Sequence, residues 1–175
     1  MEKFRELGLD GDILKGVADL GFETPSPVQE KAIPVILGEE NDLVVLAQTG
    51  TGKTAAFWLP LLQKINPEWN SVQILVLSPT RELCMQIGSD LKNYAKYLPD
   101  IRVTCVYGGT DIRRQMKELQ KGVHVVVATP GRLVDLLNRK ALNIETVFAV
   151  VLDEADEMLN MGFQEDLDFI LSNTP

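Results

Sequence analysis

Short apolar runs recur along this 175-residue chain, separated by stretches that mix apolar and polar positions. Each run is continuous rather than alternating, which is typical of strands with both faces buried. The runs predict five strands, at 42–47, 72–78, 101–107, 123–129 and 147–153.

Segments with helical spacing of apolar residues follow the first four predicted strands. Repeated strand-then-helix order implies right-handed crossovers, so we expect an α/β fold with a parallel sheet and helices on both faces. The predicted helices are 53–64, 80–97, 110–121 and 131–139, with two more at 11–20 and 26–37 ahead of the first strand.

Composition and charge set bounds on size and partners. The 45% hydrophobic content and the length suit about one globular domain. The net charge of −8 argues against a polyphosphate partner, but residues 153–175 hold seven acidic residues and no basic one. Residues 1–152 therefore carry 17 basic against 18 acidic residues, and net charge does not decide the partner.

The chain is poor in metal ligands, with two cysteines and one histidine. A structural metal site needs more ligands than these. Cys84, on an amphipathic helix, is expected to serve packing, and His124, at a strand start with no partner motif, is expected to be structural. We expect reduced thiols and a cytoplasmic location, because the chain has neither an apolar leader at its start nor a run long enough to span a membrane. Trp58 is predicted in the core and Trp69 in a surface turn.

The first candidate site follows the first predicted strand, where "AQTGTGKT" occupies 47–54. Ligands of parallel sheets bind at the carboxyl ends of the strands. The segment fits GxxxxGK[ST] with alanine in place of the first glycine. Gly50 and Gly52 allow close backbone approach, Lys53 supplies charge and Thr54 a hydroxyl. A glycine-rich turn is the alternative, but strand-loop-helix context favours a phosphate-binding loop.

The second candidate site ends the last predicted strand, where "VFAVVLDEADEML" changes abruptly from apolar to acidic. A phosphate-binding loop works with Mg²⁺ held by an acidic residue at the end of a neighbouring strand, and Asp153 fits that role. Glu154 is placed to orient or deprotonate an attacking water. The alternative is a capped helix start, because carboxylates also favour helix N-termini.

Together these motifs resemble the DEAD-box RNA helicases, over nearly the whole chain. The order and spacing of the motifs are those of the family's first RecA-like domain. The sequence in and around the motifs is most similar to bacterial members of the cold-shock type. The matching segments are "GFETPSPVQ" (21–29), "AQTGTGKT" (47–54), "PTREL" (79–83), "YGG" (107–109), "TPGR" (129–132), "DEAD" (153–156) and "MGF" (161–163).

The resemblance implies a RecA-like P-loop NTPase fold over 1–175, with a Q motif region at 1–38 and a P-loop core at 39–175. It also implies that the chain stops before the family's Ser-Ala-Thr motif and lacks the second RecA-like domain with its arginine finger. We therefore expect a domain that binds ATP or ADP but hydrolyses little, from a parent that is an RNA-dependent ATPase and unwinds short RNA duplexes.

For the nucleotide, the resemblance implies that Gln29 reads the adenine edge, Phe22 stacks on the base and Phe4 supports the pocket. An amide suits this task because it donates and accepts together. Ser26 and Gln29 also fit a capping box with Pro27 at the first helical position, and both roles can hold. The implied nucleotide-binding set is Phe4, Phe22, Thr24, Gln29, Thr49, Gly50, Thr51, Gly52, Lys53 and Thr54.

For catalysis, the resemblance assigns Lys53, Asp153 and Glu154. Lys53 would contact the β and γ phosphates, while Thr54 and Asp153 would hold Mg²⁺, partly through water. Asp156 is implied to couple the two domains rather than to bind metal.

For RNA, the resemblance implies that residues of these motifs bind the sugar-phosphate backbone of one strand and do not read its base sequence. Taken singly, these residues have structural explanations as helix caps, first helical residues or turn glycines. The implied set is Pro79, Thr80, Arg81, Gly109, Thr129, Gly131 and Arg132.

Two other classes of protein remain open. A different P-loop enzyme, such as a DNA translocase or small-molecule kinase, would keep the phosphate loop and acidic strand end, but "PTREL", "TPGR" and Gln29 speak against it. A non-enzymatic nucleotide-dependent scaffold is disfavoured by an intact carboxylate at Glu154.

Overall fold

A computed structural model describes residues 1–38, 41–46 and 52–175. The chain divides into two compact units. The first contains Met1–Ile65 and Leu91–Pro99, and the second contains Asn66–Asp90 and Asp100–Pro175.

The first unit is built from helices. Within it, α3 packs against α4, and α2 also contacts α4. Trp58 of α4 is 1% exposed, which confirms its predicted place in a core. The helices that begin in this unit are α1 (Glu2–Glu6), α2 (Gly11–Asp19), α3 (Pro27–Gly38) and α4 (Lys53–Gln63).

The second unit holds a parallel sheet of four strands in the order β2-β3-β1-β4. Each strand lies inside a predicted range, so four of the five predicted strands are confirmed. The strands are β1 (Ile74–Leu77), β2 (Val103–Val106), β3 (Val125–Ala128) and β4 (Ala149–Leu152).

Helices cover both faces of this sheet, as predicted. Leu75 and Leu77 of β1 share a buried cluster with Leu133 and Leu167 from two helices on one face. On the other face, Cys84 packs under its helix with its Sγ 3.2 Å from the carbonyl oxygen of Val127. The helices are α5 (Arg81–Tyr94), which runs on into the first unit, α6 (Ile112–Gln120), α7 (Pro130–Asn138), α8 (Ala155–Asn160) and α9 (Gln164–Ser172).

The first predicted strand is wrong for the residues that the structure describes. Residues 42–46 form no strand, and Val44 and Leu46 are 85% and 95% exposed. An apolar run becomes a strand only where a neighbour satisfies its backbone N–H and C=O groups, and the four-stranded ladder supplies none to this segment. Residue 47 lies outside the described residues.

The predicted helices agree with the structure to within about three residues at each end, while α1, α8 and α9 were not predicted. No helix in the described ranges is long and apolar enough to span a membrane. Trp69 is 61% exposed, beside a turn in which its N–H donates to the Asn66 carbonyl, as expected for a surface turn.

His124 is fully buried. Its Nδ1 accepts from the Arg102 N–H at 3.0 Å, and its Nε2 lies 3.2 Å from the Pro67 carbonyl oxygen. Because a carbonyl can only accept, this pattern fits a neutral ring protonated on Nε2. Burial, followed by the nearby Arg102, lowers the pKa of His124.

Candidate functional site

The amide of Gln29 caps the start of α3. The Ser26 N–H donates to Gln29 Oε1 at 3.0 Å, and the Gln29 N–H lies 3.4 Å from Ser26 Oγ. This reciprocal pair is the capping box that the sequence predicts, with Pro27 as the first helical residue.

The same amide also holds the start of α4, because Gln29 Nε2 donates to the Gly52 carbonyl at 3.2 Å. Gly52 has φ +81°, and a Cβ there would lie 2.5 Å from Gln29 Nε2, so only glycine fits without displacement. Gln29 is 2% exposed, and its two bonds use one lone pair and one N–H. One acceptor and one donor position remain, in an orientation fixed by the caps.

Phe22 is positioned by the end of α2. The Gly21 N–H donates to Ala18 and the Phe22 N–H to Val17, while Gly21 takes φ +79°. This is a Schellman ending, in which glycine supplies the left-handed residue. Phe22 is left half-buried and Thr24 exposed, whereas Phe4 is fully buried.

The phosphate-binding loop is described only at its C-terminal end. Gly52 is the N-cap of α4, and Lys53 and Thr54 are its first two residues, both half-buried. Thr49, Gly50 and Thr51 lie outside the described residues. The phosphate-binding role of the loop therefore stays a prediction.

In the second unit, the candidate segments leave the sheet side by side. Leu77 of β1 is opposite both Ala128 and Leu152, so the strands end at the same level. The Asp153 N–H donates to the Leu77 carbonyl at 3.0 Å, and the Thr129 N–H to Val106 at 3.1 Å. The segments "PTREL", "YGG", "TPGR" and "DEAD" thus begin at one edge of the sheet.

Glu154 has an unusual backbone conformation directly after β4. It is exposed and takes φ +54° and ψ +52°, a left-handed conformation that costs a non-glycine residue about 1–2 kcal/mol. It occupies the N-cap position of α8, but its side chain makes no capping hydrogen bond. The capped-helix alternative therefore does not account for Glu154. Asp153 is half-buried, and Asp156 is exposed in the first turn of α8.

The threonines of the predicted RNA set differ in their local roles. Thr80 caps α5, since its Oγ1 accepts from the Leu83 N–H at 3.2 Å. Thr129 occupies the N-cap position of α7 with no side-chain cap bond, and Pro130 follows as the first helical residue.

Arg81 and Tyr107 form a pair across two motif segments. The exposed Arg81 guanidinium carbon lies 4.9 Å from the centroid of the Tyr107 ring, within cation–π range. Gly109 has φ +81° and is exposed, as is Gly131, whereas Pro79 is buried.

Arg132 is joined to α6 through Gln115, a residue that the sequence reasoning missed. Arg132 Nη1 donates to Gln115 Oε1 at 2.8 Å, and Nη2 donates to the Thr110 carbonyl at 3.1 Å. Gln115 Nε2 donates to the Tyr107 carbonyl at 3.0 Å and to Thr110 Oγ1 at 2.9 Å. Gln115 is 8% exposed. The signal that could have identified it is an amide on the apolar stripe of α6, between Ile112 and Leu119.

The start of α6 is fixed by Asp111. Its carboxylate accepts from the Arg113 N–H at 3.0 Å and pairs with the Arg113 guanidinium at 3.0 Å. These bonds lower the pKa of Asp111. Asp111 directly follows Thr110 in the chain. By fixing where α6 begins, it also fixes the position on the helix from which the Gln115 side chain reaches the turn at 107–110.

Comparison with known proteins matches residues 26–175 to the family described as DEAD/DEAH box helicase. The chain belongs to this helicase family.

Within the described ranges, no group of three or more His, Cys, Asp or Glu side chains forms a metal-binding cluster.

Curated members of the family support this assignment. The chain is 51% identical over all 175 residues to an ATP-dependent RNA helicase CshA of Listeria monocytogenes, of which it covers 33%. It is 49% identical to a DEAD-box ATP-dependent RNA helicase CshA of Geobacillus kaustophilus, of which it covers 37%. The expected likeness to bacterial members is confirmed, and the chain spans about a third of the length of these relatives.

A solved structure confirms the RecA-like fold of a DEAD-box domain. The crystal structure of a DEAD box protein from the hyperthermophile Methanococcus jannaschii matches with a TM-score of 0.90 and 40% identity. The match covers 99% of this chain and 47% of that protein.

Proposed function

We propose that the chain is the ATP-binding part of an RNA-dependent ATPase that unwinds short RNA duplexes. Family membership supports this proposal, as do relatives named ATP-dependent RNA helicases. The main structural support is that the four strands end at the same level, so that four helicase motif segments begin at one edge of the sheet.

Adenine recognition by Gln29 is compatible with its capping role. The caps leave one donor and one acceptor on the amide, which complement the adenine edge, while guanine presents the opposite polarity. Phe22 would stack on the base, with Phe4 and Thr24 completing the pocket. Lys53 would contact the β and γ phosphates, with backbone contacts from Thr49, Gly50, Thr51 and Gly52.

Mg²⁺ is the metal that we propose, with the Thr54 hydroxyl and the Asp153 carboxylate as ligands, partly through water. Oxygen donors suit this hard cation, and the Asp153 backbone is fixed by its bond to the Leu77 carbonyl. The ion would offset negative charge on the phosphates during transfer.

Glu154 is the residue that we propose to orient or deprotonate the attacking water. Two observations support this role: the strained, left-handed backbone of Glu154 and the absence of a capping hydrogen bond from its side chain. Backbone strain of this kind concentrates at functional sites. Asp156 would couple the site to the second RecA-like domain of the parent protein.

RNA would be held through its sugar-phosphate backbone. Arg81 and Arg132 supply charge, and the exposed Gly109 and Gly131 allow close approach. The remaining proposed contacts come from Pro79, Thr80 and Thr129. Contacts of this kind position a strand without reading its sequence, which fits an enzyme that acts on many RNAs in the cytoplasm.

The test is steady-state ATP hydrolysis by the 175-residue protein with Mg²⁺, with and without single-stranded RNA, beside a Lys53→Ala control. We expect ATP binding that the control weakens, with negligible turnover in both conditions, because the arginine finger of related systems contributes about a thousandfold or more. RNA-stimulated turnover abolished by the control would show that this chain completes its own site. Absence of ATP binding would contradict the proposal.

A further inference from the structure

Gln115 connects two of the helicase motif segments, "YGG" and "TPGR", through one side chain. Its Nε2 donates to the Tyr107 carbonyl, and its Oε1 accepts from Arg132 Nη1. We propose that Gln115 is a positioning residue for RNA, which orients Arg132 and the turn at 107–110 while leaving the charge of Arg132 available to a phosphate. The inference rests on the RNA binding proposed above and names the residue that organises it.

The orientation of Arg132 follows from two bonds on separate nitrogens. Nη1 donates to Gln115 and Nη2 to the Thr110 carbonyl, at 2.8 and 3.1 Å. A guanidinium has five N–H donors, so three remain for a phosphate. Because the side chain is already held, less rotamer freedom is lost when RNA binds.

Arg132 differs from Arg113 and Arg139 of the second unit in the charge of its partners. Both acceptors of Arg132 are neutral, an amide oxygen and a carbonyl oxygen. In contrast, Arg113 pairs with Asp111 and Arg139 with Asp135. Phosphate binding draws on positive charge that no carboxylate offsets, because each neutralised phosphate releases counterions.

The amide nitrogen of Gln115 fixes the turn at residues 107–110. Nε2 bonds the Tyr107 carbonyl and the Thr110 hydroxyl, at the two ends of the turn that contains Gly109. The Tyr107 ring in turn lies beneath Arg81. Gln115 therefore sets the relative positions of the two arginines proposed to contact RNA.

The test compares Gln115→Glu with Gln120→Glu. Gln120 is the exposed last residue of the same helix, so its variant adds the same charge without contacting Arg132. Affinity for a single-stranded oligouridine is measured over a salt series by fluorescence anisotropy. We expect binding by Gln115→Glu to be about tenfold weaker than by Gln120→Glu, with a log–log salt slope smaller by about 0.7, the value for one lost phosphate contact.

A second pair of variants separates charge from folding. In an Arg132→Gln background, Gln115→Glu has no arginine left to neutralise, so its salt slope should equal that of Gln120→Glu in the same background. Thermal melts of all variants check the fold. Equal slopes and affinities for the two glutamates in the otherwise unchanged protein would overturn the inference while leaving RNA binding intact. If the unchanged protein fails to bind RNA, the proposed RNA binding and the inference both fall.

Discussion

Two buried amides, Gln29 in the first unit and Gln115 in the second, do comparable work at two candidate sites. Each donates from Nε2 to a backbone carbonyl at or near a glycine with φ +81°, Gly52 for Gln29 and Gly109 for Gln115. They differ in their other partners, because Gln29 closes a local cap with Ser26 whereas Gln115 binds the charged side chain of Arg132. A neutral amide can therefore fix a helix start, as Gln29 does, or a turn together with an arginine, as Gln115 does.

The largest expected effect sharpens the contrast between the two glycines. Gly52→Ala adds a Cβ 2.5 Å from Gln29 Nε2, on top of the strain at positive φ. We expect a loss of about 2–4 kcal/mol in the free energy of unfolding, together with a loss of nucleotide binding. Urea denaturation and nucleotide titration measure the two effects.

Two other glycines provide matched controls for that substitution. At Gly109 the nearest atom to an added Cβ is Arg81 Nη1 at 3.8 Å, and at Gly162, with φ +83°, no atom lies within 4 Å. Alanine at either position should cost about 1–2 kcal/mol, from backbone strain alone. Equal losses at all three positions would show that Gln29 does not restrict Gly52.

A smaller effect is expected when the Gln29 amide itself is removed. Gln29→Leu deletes the bonds to Ser26 and Gly52, at a cost of about 1–3 kcal/mol. Gln29→Glu keeps the acceptor for Ser26 but places a carboxylate oxygen against the Gly52 carbonyl at a 2% exposed site, so its loss of stability should be at least as large. Preference for ADP over GDP should fall in both variants. A retained preference would contradict adenine reading by this residue.

Acid should affect a third buried polar group and leave the two amides unchanged, because amides do not titrate. The pKa of His124 is lower in the folded protein than the usual value of 6.5, so the unfolded chain takes up the proton first. Its contribution to stability is fully present above about pH 6.5 and is lost as pH falls from there toward the folded pKa. Urea midpoints from pH 7.5 to 5.5 should decline less in His124→Asn. Parallel declines would assign the effect to other groups.

The smallest expected effect is on thiol reactivity, which gives a local probe of the second unit. The hydrogen bond that joins the Cys84 and Cys105 side chains, together with burial, holds the pKa of the Cys84 thiol well above its usual range. Cys84 should therefore react with iodoacetamide only after the surrounding structure opens. Gln115→Leu should speed this labelling, whereas Gln29→Leu should not. Equal rates in the two variants would mean that Gln115 does not stabilise its surroundings.

Prediction from sequence succeeded where the responsible residues are close along the chain. The capping box at Ser26 and Gln29 involves a spacing of three residues, so the sequence alone identifies it. The strands at 74–77 and 125–128 were found because continuous apolar runs mark strands buried on both faces.

Prediction failed where the outcome depends on distant partners. The apolar run at 42–46 has the composition of a strand, but strand formation requires a neighbour that composition does not reveal. The role of Gln115 depends on Tyr107 and Arg132, which lie 8 and 17 residues away. The left-handed conformation of Glu154 also has no local sequence signal, since glycine or asparagine would be the usual choice.

The most direct test measures both ligands on both amide variants, with fluorescent ADP and single-stranded oligouridine titrated into Gln29→Leu and Gln115→Glu. The account predicts a crossed result, in which Gln29→Leu weakens nucleotide binding with RNA affinity unchanged, and Gln115→Glu weakens RNA binding with nucleotide affinity unchanged. Equal loss of both ligands in both variants would contradict it, because the two amides would then act only through the general stability of the fold.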